Sequence, residues 1–156
     1  DRTLQLKGRK CLSWSEVQEL ARHGVTFGSH TVSHPRLVEL DRDRIYSELE
    51  QSKKRIEDEL QQPVTSFSYP FAFPEEQRTF VEMLRELLLR AGYEQAVTTR
   101  IGFAGKEDDP LLLKRLPVNV HDDVRLLEAK LQGAYNWVHL LQKACKHMKS
   151  SSGPIS

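Results

Sequence analysis

Two histidines four residues apart are the residues of this chain best suited to do chemistry. They lie in the stretch Val25-Thr-Phe-Gly-Ser-His-Thr-Val-Ser-His-Pro35, where an apolar run stops. The spacing from His30 to His34 is that of two side chains on one side of a single helical turn, so both imidazoles can converge on one cation. Imidazole suits zinc, nickel, cobalt and iron. The pair therefore predicts a metal site.

The same pair also has a simpler interpretation. Histidines in a polar loop are often solvated side chains or hydrogen-bonded caps. Two ligands are also fewer than the three that a catalytic zinc site usually takes from the protein. A third ligand would have to come from elsewhere in the fold.

The elements before the histidines form a helix and a strand that would deliver them to one place. Ser13 and Glu16 have the spacing of a capping box that opens a helix, and Gly24 is placed to end it. Residues 25–29 then read as a short buried strand, because they are β-branched or aromatic and stop at small residues. The histidines are therefore expected at the exit of a strand.

The rest of the chain repeats this alternation of helix and strand. The predicted elements are a helix from Asp41, a strand over 64–71, a helix from Pro74, strands over 93–99 and 111–120, and a last helix running to Cys145 and capped by Asp122 or His121. Such alternation is typical of an α/β fold with parallel strands and outer helices, whose function lies at the carboxyl ends of the strands. The charged run over 48–54 reads as solvated ion pairs without a function.

Length and composition exclude several classes of protein. The chain has 156 residues, which fit one domain, and its 23 Lys and Arg against 22 Asp and Glu give no charge field for nucleic acid. It contains no apolar run of about 18 residues, so no membrane span is predicted, and residues from Asp1 carry no export signal. Cys11 and Cys145 have no spacing motif, which leaves the redox compartment and the cellular location open.

The histidine pair belongs to a longer pattern. His30-Thr-Val-Ser-His34 is followed by a helix and then by Ser68-Tyr-Pro-Phe-Ala72. Together these segments resemble the polysaccharide deacetylase family, also called the NodB-homology fold, from about Leu12 to Trp137. The resemblance implies a distorted, incomplete β/α barrel that removes acetyl groups from N-acetylated sugars with a bound divalent metal, for which zinc is expected. His30 and His34 match the family's second motif and would be its imidazole ligands.

The largest departure from the family concerns its first motif, Thr-Phe-Asp-Asp. This motif supplies the catalytic base and the third metal ligand, and it does not occur in the chain. We therefore expect residues 1–145 to be the C-terminal part of a deacetylase domain whose first strand and aspartate base lie outside this chain, and residues 146–156 to be a disordered tail. Asp122 and Asp123 could replace the missing aspartate or could cap a helix.

The family's third motif overlies residues 68–72 only in part. The arginine that orients the base in the family is replaced by Ser68, and the backbone N–H that serves as an oxyanion donor is retained at Phe71. The resemblance thus assigns Tyr69, Pro70 and Phe71 to the substrate and oxyanion region. The side chain of Phe71 could form an acyl-group wall or could belong to the core.

The family's general acid, in a Leu-x-His motif on a late strand, has no match before His121. His121 is therefore a candidate acid, against the alternatives of a helix cap or a surface residue. Arg115, on the predicted fourth strand, could face the pocket or the solvent.

The resulting expectation is an enzyme that hydrolyses the non-peptide amide bond of an N-acetylated polysaccharide with a divalent metal, inactive as this isolated fragment. The expected partner is a carbohydrate, and the oligomeric state is left open. One alternative is a degenerate deacetylase fold that binds sugar without turning it over. A second is an α/β scaffold in which the two histidines are part of an ordinary loop.

Overall fold

The computed structural model describes residues 5–6, 9–134 and 138, and it shows helices alternating with parallel strands. In chain order the elements are β1 (Gln5–Leu6), β2 (Arg9–Lys10), α1 (Trp14–Arg22), a 3-10 turn (Leu37–Glu39), α2 (Arg42–Leu60), β3 (Ser66–Ser68), α3 (Arg78–Arg90), β4 (Gln95–Ile101), β5 (Leu113–Arg115), α4 (Val124–Ala129) and a π-helical turn (Lys130–Ala134). None of the described helices is long and apolar enough to span a bilayer. The predicted tail over 146–156 lies outside the described residues.

The three longer-range strands form one parallel sheet in the order β3-β4-β5. On the outer side of β3, Ser29 makes an isolated parallel bridge to Phe67. The three strands and the segment that ends at Ser29 run in the same direction. The chain therefore leaves all four at the same edge of the sheet, which we call the carboxyl edge. This arrangement confirms the predicted α/β class and is consistent with part of a barrel.

The hydrophobic core joins α2 and α3 to one face of this sheet. α3 contributes one apolar face to this core, since Phe80, Leu84, Leu87 and Leu88 are all buried. The remaining buried members come from α2, the strands and the loops beside them: Leu37, Ile45, Leu49, Val64, Phe67, Tyr69, Phe73, Tyr93, Ala96 and Leu111. The core thereby fixes the sheet against two helices, one of which starts shortly after the histidines.

The prediction of a buried strand over 25–29 is wrong for most of its length. Val25 is 45% exposed, and only Ser29 is paired, through its N–H to the Ser66 carbonyl and its own carbonyl to the Ser68 N–H, both at 2.9 Å. β3 is three residues long, so it offers the segment few partners, and no described strand lies on the segment's other side. The histidines therefore follow an edge segment with one bridge.

Gly28 is required by the close approach of this edge segment to β3. A Cβ atom at Gly28 would lie 2.6 Å from Ser66 Oγ and 3.1 Å from the Ser66 carbonyl oxygen. We expect Gly28→Ala to destabilise the protein by about 1–3 kcal/mol through this overlap, measured by urea unfolding. Adding Ser66→Ala should restore part of the loss. Gly105→Ala is the control, because its Cβ would meet only Asp108 Oδ2 at 3.9 Å, and equal losses for the two glycines would contradict this account.

α3 begins later than predicted, at Arg78 instead of Pro74. Tight turns occupy the intervening residues, with the Gln77 N–H donating to the Pro74 carbonyl at 3.0 Å. The N–H of Phe73 donates to Thr99 Oγ1 on β4 at 2.7 Å, which ties this loop to the sheet. The backbone N–H groups of the loop are thus satisfied by local turn bonds and by one tertiary contact, without an additional helical turn.

The N-cap of α4 is Asp123, which accepts a hydrogen bond from the Leu126 N–H at 2.7 Å. The prediction of Asp122 or His121 as the cap is wrong because Asp122 has other partners, Lys130 Nζ at 2.6 Å and the Asn119 N–H at 2.9 Å. Val124, the first residue of α4, is 72% exposed. The prediction of one continuous helix to Cys145 is wrong over its first half, since α4 ends at Ala129 and Gly133 in the following π-helical turn has φ of 95°. The part beyond residue 134, apart from residue 138, lies outside the described residues.

Candidate functional site

The rings of His30 and His34 converge at the carboxyl edge of the sheet. Their centroids are 4.8 Å apart and their planes are inclined at 70°. Two imidazoles bound to one tetrahedral zinc, with Zn–N bonds of about 2.0–2.1 Å, have centroids roughly 5 Å apart. The centroid distance is therefore compatible with a shared cation.

The orientation of the His30 ring is fixed by β3. Its Nδ1 lies 2.6 Å from the carbonyl oxygen of Ser68. A carbonyl oxygen only accepts hydrogen bonds, so Nδ1 carries a proton, and in the neutral ring the lone pair is then on Nε2. Histidines that bind metals commonly donate their other ring N–H to a carbonyl in this way, which fixes both the tautomer and the ring orientation.

The loop between the two histidines is not the helical turn that the spacing predicts. Thr31 and His34 adopt left-handed backbone conformations, with φ of 68° and 54°. The Thr31 hydroxyl donates to the His30 carbonyl and accepts from the His34 N–H at 3.1 Å. The rings are brought together by two left-handed residues and the hydroxyl between them, so the spacing predicted the convergence but not the backbone that produces it.

Glu48 on α2 holds the middle of this loop. Its Oε2 accepts from the Val32 and Ser33 N–H groups at 2.8 and 2.9 Å, and its Oε1 accepts from the Ser33 hydroxyl at 2.6 Å. Burial opposes ionisation of Glu48, but these hydrogen bonds outweigh it and hold the pKa of the carboxyl below its ordinary value. The expectation that the 48–54 run has only a solvated role is wrong for Glu48. No spacing rule marks this residue, because the contact depends on how α2 packs against the loop.

Phe71 lies beside the histidines and not in the core. Its side chain is 48% exposed, and its ring centroid is 4.6 Å from that of His34. Phe71 is left-handed, with φ of 58°. Among the described residues, none accepts a hydrogen bond from its backbone N–H. The loop thus presents both an aromatic ring and an uncommitted N–H next to the pair.

Tyr69 and Pro70, also assigned to the substrate region, are buried. The Tyr69 ring packs edge-on against Phe73 and Phe80, with centroids 4.9 and 6.4 Å away. Burial raises the pKa of the Tyr69 phenol to about 12, although Arg36 lowers it slightly. The side chain of Tyr69 therefore supports the loop from within the core.

Arg115 does not lie in a strand next to the pair. It is exposed at the end of β5, which is separated from the segment before His30 by β3 and β4. His121 is exposed in the turn before α4. The structure brings His30, His34 and Phe71 together, and the strand order separates Arg115 from them.

The two aspartates considered as replacements for the missing motif have structural roles. Asp123 caps α4. The hydrogen bond from Lys130 holds the pKa of Asp122 below its ordinary value, and both side chains of this ion pair are almost fully buried. In the part of the chain that the structure describes, no third His, Cys, Asp or Glu joins the histidine pair. The described donors supply two of the three protein ligands typical of a catalytic zinc site.

A groove of about 370 Å³ runs along the sheet beside His30. Its walls are mostly small or polar and include Gly28, Ser66, Ser68, Gln95 and Val97. It opens directly beside the exposed His30.

Comparison with known proteins agrees with these motifs. A family model described as polysaccharide deacetylase matches residues 4–95. The chain is 31% identical over 108 residues to YxkH of Bacillus subtilis (strain 168), which is named as a polysaccharide deacetylase. That alignment covers 69% of this chain and 37% of YxkH.

Solved structures show the same fold. The Streptococcus pyogenes deacetylase PplD, in complex with acetate, superposes with a TM-score of 0.68 at 24% identity, covering 78% of this chain and 51% of PplD. IcaB from Ammonifex degensii gives a TM-score of 0.60 at 19% identity, covering 74% of this chain and 52% of IcaB. The chain thus spans about half of each solved relative. Because the family model matches more than half of the chain, the chain belongs to the polysaccharide deacetylase family.

Proposed function

We propose that this chain carries the metal-binding part of a deacetylase domain that hydrolyses the amide bond of an N-acetylated glycan. The observation that supports this best is the convergence of His30 and His34 at the carboxyl edge, with the proton of His30 fixed on Nδ1. We propose further that the fold is part of a distorted β/α barrel whose first strand lies outside these residues. The unpaired side of the segment before Ser29 is where such a strand would add.

His30 and His34 would hold a divalent metal, with zinc as the first candidate. When bound, the metal would polarise the acetamide carbonyl and lower the pKa of a coordinated water. The N–H of Phe71 would donate to the carbonyl oxygen as it gains negative charge. The exposed ring of Phe71, whose centroid lies 4.6 Å from that of His34, would form an apolar wall for the acetyl methyl group.

The proton of the attacking water needs a carboxylate base, and no described carboxylate joins the histidine pair. Asp122 and Asp123 are engaged elsewhere, so an aspartate from outside the described residues would have to supply this function. His121 stays a candidate for the general acid only if a further segment brings it towards the site. Arg115 would contribute to substrate binding under the same condition.

The isolated 156-residue chain is expected to release little or no acetate from an N-acetylglucosamine oligomer, because its base is missing. Acetate is measured after incubation with Zn²⁺, with the metal-free chain as the control. Turnover that is robust and Zn²⁺-dependent would contradict the proposal that the base lies outside this chain.

A sugar-binding domain without catalysis is the second candidate. It is favoured by Ser68, which stands where the family has the arginine that orients the base, and by the two-ligand donor set. Calorimetric titration with the same oligomer separates this role from a scaffold: the binder takes up sugar and the scaffold does not. Supplying the chain with a segment that contains Thr-Phe-Asp-Asp then distinguishes enzyme from binder, since only the enzyme gains acetate release.

A further inference from the structure

We propose that Glu48 is the positioning residue of the histidine pair. Its carboxylate lies on α2, in a different element from the loop, and accepts three hydrogen bonds from Val32 and Ser33 between the two histidines. Only the metal-binding part of this inference depends on the proposed function. The positioning itself is a property of the metal-free chain.

The loop between the histidines needs stabilising contacts from another element because its backbone conformation is unfavourable. Thr31 and His34 are both left-handed, a conformation that side-chain-bearing residues keep only where the surroundings impose it. The N–H groups of Val32 and Ser33 lie between them and point to a single oxygen of Glu48. Hydrogen bonds to an ionised carboxylate are stronger than those between neutral groups, so Glu48 can maintain this conformation where water would not.

The position of the Glu48 carboxylate is in turn set by the core. Ile45 and Leu49, on either side of it along α2, have no exposed surface. One turn further along the helix, Ser52 Oγ lies 2.6 Å from Ser29 Oγ, immediately before His30. Residues four apart lie on the same side of a helix, so α2 holds the segment 29–33 at two points.

Glu48 acts through the loop and not on a ligand. Oε2 is engaged by two N–H groups and Oε1 by the Ser33 hydroxyl. Glu48 contacts neither imidazole and holds only the residues between them. Loss of residues that hold metal ligands in place typically lowers metal affinity about 10- to 100-fold.

The test compares Glu48→Ala and Glu48→Gln with the control Glu50→Gln, in the full 156-residue chain. Glu50 lies two residues away on the same helix and accepts from the Tyr46 hydroxyl at 2.9 Å, outside the site. The first readout, without metal, is the nuclear Overhauser effect between the ring protons of His30 and His34, together with hydrogen exchange of the Val32 and Ser33 amides. The second is Zn²⁺ affinity by calorimetry.

We expect Glu48→Ala to lose the contact between the rings, to expose both amides to exchange and to weaken Zn²⁺ binding about 10- to 100-fold. Glu48→Gln, which keeps the shape and one acceptor, should lie between wild type and Glu48→Ala, and Glu50→Gln should match wild type. If Glu48→Ala does not fold, the ring contact and the Zn²⁺ affinity of Glu48→Gln test the proposal. Retained ring contact with unchanged Zn²⁺ affinity in the Glu48 variants would overturn the proposal.

The two readouts also separate this inference from the proposed function. If the wild-type chain binds no Zn²⁺ but the Glu48 variants still lose the ring contact, the metal site fails and the positioning role stands. If the wild type binds Zn²⁺ and the Glu48 variants change neither readout, the metal site stands and the positioning role is wrong.

Discussion

Replacing His30 with alanine is expected to abolish measurable Zn²⁺ binding by this chain. The affinity should fall at least about 100-fold, the upper end of the range for residues that only hold metal ligands in place. The mutation removes one of the two convergent imidazoles and also the hydrogen bond from Nδ1 to the Ser68 carbonyl. His34→Ala should have a similar effect. Calorimetric titration with Zn²⁺ measures both.

The matched control is His23→Ala. His23 is exposed at the end of α1, where its Nδ1 lies 2.9 Å from the Glu19 carbonyl oxygen, and it takes no part in the site. It therefore removes a surface imidazole without disturbing the pair. A His30→Ala chain that binds Zn²⁺ as tightly as wild type would show that the metal binds elsewhere, and the proposed site would be abandoned.

Replacing Leu87 with alanine is expected to reduce the free energy of unfolding by about 2–5 kcal/mol. Leu87 is fully buried between α3 and the sheet, and its truncation removes apolar contacts and leaves a cavity. Urea unfolding followed by circular dichroism gives the change in free energy.

The chain offers a close control on the same helix. Leu89 is 51% exposed, and Leu89→Ala should change the free energy of unfolding by no more than about 0.5 kcal/mol. Both mutations exchange leucine for alanine within α3, so their effects on helix propensity are alike and the difference reports burial. Similar losses of unfolding free energy at the two positions would mean that α3 does not pack into the core by the face that contains Leu87.

Local signals in the sequence were sufficient for several elements. The capping box of α1 is present, with Ser13 accepting from the Glu16 N–H and the Glu16 side chain accepting from the Ser13 N–H. Asp41 caps α2 as predicted, and the buried face of α3 follows its apolar spacing. These features depend on interactions between residues that are close together in the sequence, so they can be predicted from it.

Other features could not be predicted because distant residues decide them. Pro74 has the sequence of a helix start, but the hydrogen bond from Phe73 to Thr99 on β4 holds that segment in turns. Asp122 has the position of a helix cap, but it is bound by Lys130, eight residues away, and the neighbouring Asp123 takes the capping role. In both cases a tertiary partner competes with the local preference and prevails.

For the candidate site, the sequence by itself determined that His30 and His34 are the candidate ligands and that they lie at the carboxyl ends of parallel strands. Only the tertiary structure decided how the two rings meet. The left-handed backbone of their loop is intrinsically unfavourable. Its N–H groups donate to Glu48 on α2, and the His30 ring donates to the Ser68 carbonyl on β3. The type and spacing of residues fix what a site can bind, whereas its geometry depends on hydrogen bonds that exist only after distant elements have packed.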